Sequence, residues 1–214
     1  MLFRSRENSL RAALRRIGEL RRDGEPCFTG TDFHRLITAV QVVPIDDALE
    51  LAEDFRRTME MKGPVKKHRA RVIITGGSLD DPSYTGVIES QGALVVADRY
   101  CTGSLPGLEP VDAAEDPVTA MATQVLNTNR CPRMMENFEA RKNYILSLAT
   151  EYRADGIIIQ SIKFCDTWGV ESSALVSALR EEGVPVLRLE REYRQSGEGQ
   201  LRTRVQAFIE SMGK

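Results

Sequence analysis

Apolar positions follow two different rhythms along the chain. Over the first third they recur every three or four residues. Leu10, Ala13, Leu14, Ile17 and Leu20 form one such series, with Arg11, Arg15, Arg16 and Arg22 spread between them. That spacing predicts an amphipathic helix, stopped by Gly24 and Pro26. Thr31 or Asp32 would cap a short helix over Phe33, Leu36, Ile37 and Val40. A third helix is expected from Asp46 or Asp47 to Met61, with Leu49, Ala52, Phe55 and Met59 on one face and Gly63-Pro64 closing it. The basic run at 66–69 reads as a solvated connector.

From Arg71 onward, short β-branched runs alternate with helix-length segments. Strands are expected at 72–74, 93–96, 156–159 and 186–189. The first three are almost continuously apolar, the pattern of strands covered on both faces of a parallel sheet. Helices are expected at 83–90, 117–126, 132–152, 170–182 and 199–212. This alternation predicts an α/β fold, a doubly wound, mainly parallel four-stranded sheet of flavodoxin- or Rossmann-like type with right-handed crossovers. An amino-terminal helical segment, 1–65, is expected to pack on the α/β domain, 66–214, rather than fold alone.

Composition narrows the function. A chain of 214 residues with 42% hydrophobic content can build a real core. Its formal net charge of -2 gives no overall field favouring nucleic acid or an anionic membrane. No apolar run approaches the ~20 residues needed to span a bilayer. The first residues lack a signal-peptide core, so a cytoplasmic location is expected. Cys27, Cys101, Cys131 and Cys165 include no closely spaced pair, which argues against a disulfide framework. His34 and His68 lie outside the strand-end loops, and no Gly-x-Ser-x-Gly elbow occurs. Zinc-hydrolase and Cys/His-nucleophile chemistry are thereby disfavoured.

Ligands of such sheets bind beyond the carboxyl ends of the strands. Two of the four loops expected there carry a cysteine, Cys101 and Cys165. With strand order 2-1-3-4 these would share one edge, about 10 Å apart. Two thiolates there could share an iron–sulfur cluster, or one could serve while the other packs. Lys163 and a helix start would both favour a Cys165 thiolate, and Phe164 and Trp168 would exclude water. The bland reading is an inert cysteine beside a helix cap made by Asp166 or Thr167. Gly76-Gly77-Ser78 reads as a tight turn. Its amides could also cradle a phosphate, but it lacks the dinucleotide and Walker patterns. Pro132 suits a first helical position, which makes Cys131 a helix-start residue rather than a ligand. Cys27 precedes any strand and receives no role. Asp98, Glu190 and Glu192 sit at strand ends, where carboxylates more often serve as caps or surface groups.

At these loops a family resemblance emerges. Arg71-Val72-Ile73-Ile74-Thr75-Gly76-Gly77, the stretch from Val87 to Gly103, Ala154-Asp155-Gly156-Ile157-Ile158 and Lys163-Phe164-Cys165-Asp166 carry it. The run from Gly199 to Glu210 is the most specific part. Together they resemble the second α/β domain of iron–sulfur subunits in the 2-hydroxyacyl-CoA dehydratase / benzoyl-CoA reductase family. The resemblance implies two related subunits, each holding a [4Fe–4S] cluster through three cysteines. It implies an ATP-hydrolysing iron–sulfur activator that injects one electron, and an acyl-CoA thioester substrate that becomes a ketyl radical. Water elimination or ring reduction then follows. The resemblance assigns Cys165 as the metal ligand supplied by this domain. It places the other two ligands in an amino-terminal domain that is absent here, so a full cluster would need that domain or a partner. The alternatives are a non-catalytic structural or assembly subunit, a truncated remnant of the family, or a generic nucleotide- or CoA-binding domain.

Overall fold

Four parallel strands form the centre of the molecule. They are β1 (Ala70–Gly76), β2 (Ala93–Tyr100), β3 (Gly156–Ile162) and β4 (Val186–Arg191), in the order β2-β1-β3-β4. The structure is a computed structural model and describes residues 2–65, 67–104, 108–128, 131–193 and 197–214. Lys66 of the expected connector and 194–196 of the fourth strand-end loop lie outside the described residues. The chain leaves β1 for β2 on one side and reaches β3 on the other. The topological switch point therefore falls between the ends of β1 and β3.

Alternation along the strands divides the core into two layers. Val72, Ile74, Val95 and Ile158 face α4 (Pro82–Glu89) and α8 (Glu198–Ser211), packing on Ile88, Leu201, Val205 and Ile209. Ile73, Leu94, Ile157 and Ile159 face α6 (Phe138–Glu151) and α7 (Asp166–Glu181), packing on Ile145, Leu148, Leu175 and Leu179. Both faces of β1 and β3 are thus covered, which is why those runs are apolar without a break. The remaining crossover helix is α5 (Pro117–Thr128).

The first three helices, α1 (Leu2–Glu19), α2 (Gly30–Val40) and α3 (Ile45–Lys62), enclose a separate apolar cluster built on Phe28, Phe33, Leu36 and Ile37. Polar ties bind them to the sheet. Glu89 on α4 accepts from the Gly30 and Thr31 amides at 2.8 and 3.0 Å, from the Thr31 hydroxyl and from the Val95 amide. One carboxylate thereby joins the start of α2 to β2. A Cβ on Gly30 would stand 2.4 Å from the Val95 Cβ, so only glycine allows this approach. Buried Arg71 donates to the carbonyls of Arg21, Asp23 and Tyr152.

Several boundaries depart from the sequence expectation. Helix α1 begins at Leu2 rather than near Leu10, where Arg4 and Asn8 bond the carbonyls of Ala113, Glu115 and Val111. Thr29, not Thr31 or Asp32, caps α2, in a reciprocal box with Asp32. The helix expected from 132 begins only at Phe138. Turns at 132–134 and a 3-10 turn at Met135–Asn137 precede it. Cys131 is therefore no helix-start residue. Helix α7 begins at Asp166, four residues before the expected 170, because Phe164 at φ 66° reverses the chain and Cys165 becomes the N-cap.

Candidate functional site

The strand-end rim is organised by the Gly76-Gly77 turn. Gly76 has φ 131°, and a Cβ there would lie 1.8 Å from the Gln160 carbonyl oxygen. No side chain fits. The Gly77 amide donates to Gln160 O at 3.0 Å, and Gln160 Nε2 donates to Gly77 O at 2.7 Å. The Cys101 amide reaches Gly77 O at 3.4 Å, and its thiol sits 4.0 Å from Gly76 O. The turn lets the end of β1 close on β3 and offers an acceptor to the Cys101 amide at the end of β2. The Gly77 amide is committed to Gln160, and the Leu79 amide to the Thr102 hydroxyl. This supports the tight-turn reading over the phosphate cradle.

Cys165 occupies the N-cap of α7 in extended conformation, half-buried, and its side chain makes no cap hydrogen bond. Its carbonyl accepts from Gly169 N at 2.7 Å, which completes the first turn. The neighbours behave differently from expectation. Lys163 gives its ammonium to Glu192 at 2.9 Å, and this pairing raises its own pKa. Phe164 is 98% exposed and so covers nothing. Trp168 alone is buried beside the site, and Gly77 lies against its ring.

Cys131 lies in the irregular segment ahead of α6. Burial raises the pKa of the Cys101 thiol; the neighbouring Trp168 indole and Arg133 lower it, and Cys131 and Cys165 raise it. Trp168 Nε1 is sealed from solvent and has no hydrogen-bond partner among the described residues. Cys101 and Cys165 both pack at the edge of the apolar layer that holds Trp168. A buried arginine on α6 ties the segment that carries Cys131 to α7. Arg141 pairs with Glu171 of α7 and donates to the Cys131 and Met134 carbonyls.

The other sequence candidates lie elsewhere. Cys27 packs against the helical cluster, where burial raises its pKa. Asp98 is engaged by buried Arg21 at 3.0 Å and by the Ser104 amide at 2.8 Å, a structural arrangement. Glu192 is the partner of Lys163, and Glu190 is exposed.

A cysteine thiolate is the donor type suited to an iron–sulfur cluster. Among the described residues, no three His, Cys, Asp or Glu side chains stand at separations that hold a metal ion. Among the described residues no helix is long and apolar enough to cross a membrane.

Known proteins resemble the chain along most of its length. Over 98% of its length the chain is 29% identical to a protein of Escherichia coli (strain K12) named as a dehydratase subunit, YjiM, covering 55% of that relative. It is 29% identical to the (R)-phenyllactyl-CoA dehydratase beta subunit of Clostridium sporogenes over 78% of this chain and 45% of the relative. It is 24% identical to one of the subunits of benzoyl-CoA reductase from Thauera aromatica, over 73% of this chain and 42% of that one. The chain thus spans about half the length of the curated relatives it matches. The family model for the 2-hydroxyglutaryl-CoA dehydratase D-component matches residues 4–212, and the chain belongs to that family.

Proposed function

We propose that this chain is the Cys165-bearing part of a cytoplasmic iron–sulfur subunit in an ATP-dependent radical acyl-CoA enzyme, either a 2-hydroxyacyl-CoA dehydratase or a benzoyl-CoA reductase type. The names of its relatives support the class. The observation that carries the reading is the place of Cys165, at the N-cap of α7 beyond the end of β3 and packed with Cys101 on the layer that holds Trp168. In this reading Cys165 is the metal ligand that this chain supplies. A [4Fe–4S] cluster bound there would supply one low-potential electron to an acyl-CoA thioester. Its full ligation draws on the part of the subunit outside this chain or on a partner.

The chain's own residues have definite tasks. The Cys165 thiol loses its proton to become a ligand. The buried Trp168 ring keeps water from the rim beside it. Gly76 lets the ends of β1 and β3 approach closely. The proposed partners are a homologous second subunit and an ATP-hydrolysing iron–sulfur activator.

Anaerobic purification with its co-expressed partners tests this, by iron and sulfide analysis. Cys165→Ser is expected to abolish the cluster in the assembled complex. Cys131→Ser is expected to leave the cluster intact, and iron loss there would overturn that assignment. Unchanged iron in Cys165→Ser would remove it as a ligand. A complex that is colourless throughout would favour a non-catalytic assembly subunit or a remnant of the family.

A further inference from the structure

A cavity of about 190 Å³ opens at the carboxyl end of β4, between the starts of α4 and α8. Tyr84, Leu189 and Leu201 line it from the apolar layer on the face of the sheet opposite to that of Cys101 and Cys165. Tyr84 is 5% exposed, and among the described residues its hydroxyl has no hydrogen-bond partner. Burial pushes its pKa up to about 12, against a smaller pull from Arg191 and Arg204. The hydroxyl therefore keeps a proton to donate.

Arg191 brings a positive charge to the same wall. Its side chain is 8% exposed, and its central carbon lies 5.7 Å from the Tyr84 ring centroid. Its N–H groups go to neutral oxygens: Ser78 O at 2.6 Å, Gln160 Oε1 at 3.3 Å, Glu192 O at 3.2 Å and Tyr193 O at 3.4 Å. The carboxylate of Asp80 stays 3.9 Å away and already accepts from the Tyr193 hydroxyl. The guanidinium is thus hydrogen-bonded without being neutralised. Arg204, at the opening, donates to Arg188 O at 2.6 Å and forms no ion pair among the described residues.

We propose that this cavity binds a small organic monocarboxylate, whose oxygens accept from the Tyr84 hydroxyl and from Arg204 beside the Arg191 charge, and whose carbon chain lies on Leu189 and Leu201. The volume is below the roughly 300–1,000 Å³ of pockets for drug-sized molecules, so the ligand is small. Glu190, Glu192 and Glu198 also border the opening, which disfavours a dianion such as phosphate. The site uses neither Cys101 nor Cys165, so it stands or falls apart from the cluster.

The test uses the full chain. Binding of hexanoate is followed by saturation-transfer NMR at fixed ionic strength, with acetate, hexanol and inorganic phosphate as comparisons. Hexanoate is expected to bind saturably. Acetate, which lacks the chain, and hexanol, which lacks the charge, are each expected to bind at least about tenfold more weakly. Tyr84→Phe is expected to weaken hexanoate about tenfold. It is also expected to leave the urea midpoint of the ligand-free chain unchanged, because the hydroxyl has no partner in the protein to lose. Arg204→Met, a change at an exposed position, is expected to weaken hexanoate by a similar factor. Absence of saturable hexanoate binding, phosphate bound as tightly as hexanoate, or affinity unaltered in both variants overturns the proposal. A lowered urea midpoint in Tyr84→Phe would show the hydroxyl to be spent inside the protein and overturns it as well.

Discussion

Arg21 and Asp98 meet at 3.0 Å with both side chains almost wholly shielded from solvent, at the junction between the helical segment and β2. The guanidinium also lies over Phe33, its central carbon 3.8 Å from the ring centroid. Removing one member of a buried pair strands the other charge. Asp98→Ala is expected to cost about 3–5 kcal/mol in urea unfolding, and Arg21→Met a comparable amount. A cost under about 1 kcal/mol for both would show that water reaches this junction.

Gly76 offers a sharper test of the rim. Gly76→Ala places a methyl group 1.8 Å from Gln160 O at a φ that L residues avoid. The expected loss is on the order of 3 kcal/mol or more, with the β1 and β3 ends forced apart. Gly169, in the first turn of α7, has nothing within 4 Å of its Cβ position. Gly169→Ala is expected to stabilise by about 0.4–1 kcal/mol. Opposite signs in one unfolding assay confirm the pair.

Glu89 joins α2 to the sheet by four hydrogen bonds. Glu89→Gln replaces one acceptor oxygen with a donor that faces amides. A loss of about 1.5–3 kcal/mol is expected, together with faster hydrogen exchange at the Gly30 and Thr31 amides. Equal exchange in variant and unaltered chain would refute the tie.

His34 makes stability depend on pH. Its Nδ1 lies 2.9 Å from the Thr85 hydroxyl and its Nε2 2.9 Å from Leu79 O. Burial lowers its pKa, opposed more weakly by Asp98, Asp80 and Asp81 and by the Leu79 carbonyl bond. A base with a depressed folded pKa contributes stability above the unfolded value, about 6.5, and loses it as pH falls towards the folded one. The urea midpoint is therefore expected to drop below about pH 6.5. His68 is shifted in the same direction, so His34→Gln should remove part of the slope and His34→Gln/His68→Gln most of it. An unaltered slope in the double variant would assign the effect to other groups.

The sheet was readable because Val72, Ile73, Ile74 and the run from Ile157 to Ile159 need cover on both faces, and only a parallel α/β arrangement supplies it. Cys101 and Cys165 were readable because they directly follow strands, where such folds place their ligand loops. The irregular segment that carries Cys131 was not, because it is held by Arg141 reaching carbonyls from α6, a contact that leaves no periodicity in the sequence. The early start of α7 was hidden for a similar reason. Phe164 adopts a left-handed conformation that its residue type does not advertise. The partner of Lys163 was also hidden, because Glu192 directly follows β4, which is distant in sequence and adjacent in space.

The strand order also has a consequence for synthesis. A chain emerging from the ribosome can pair β1 with β2 early, which exposes Cys101 at the end of a two-stranded ribbon. Cys165 takes its place only after β3 has joined the far side of β1 and α7 has wound from it. The strand-end rim that carries both Cys101 and Cys165 is therefore completed only once translation has passed the start of α7.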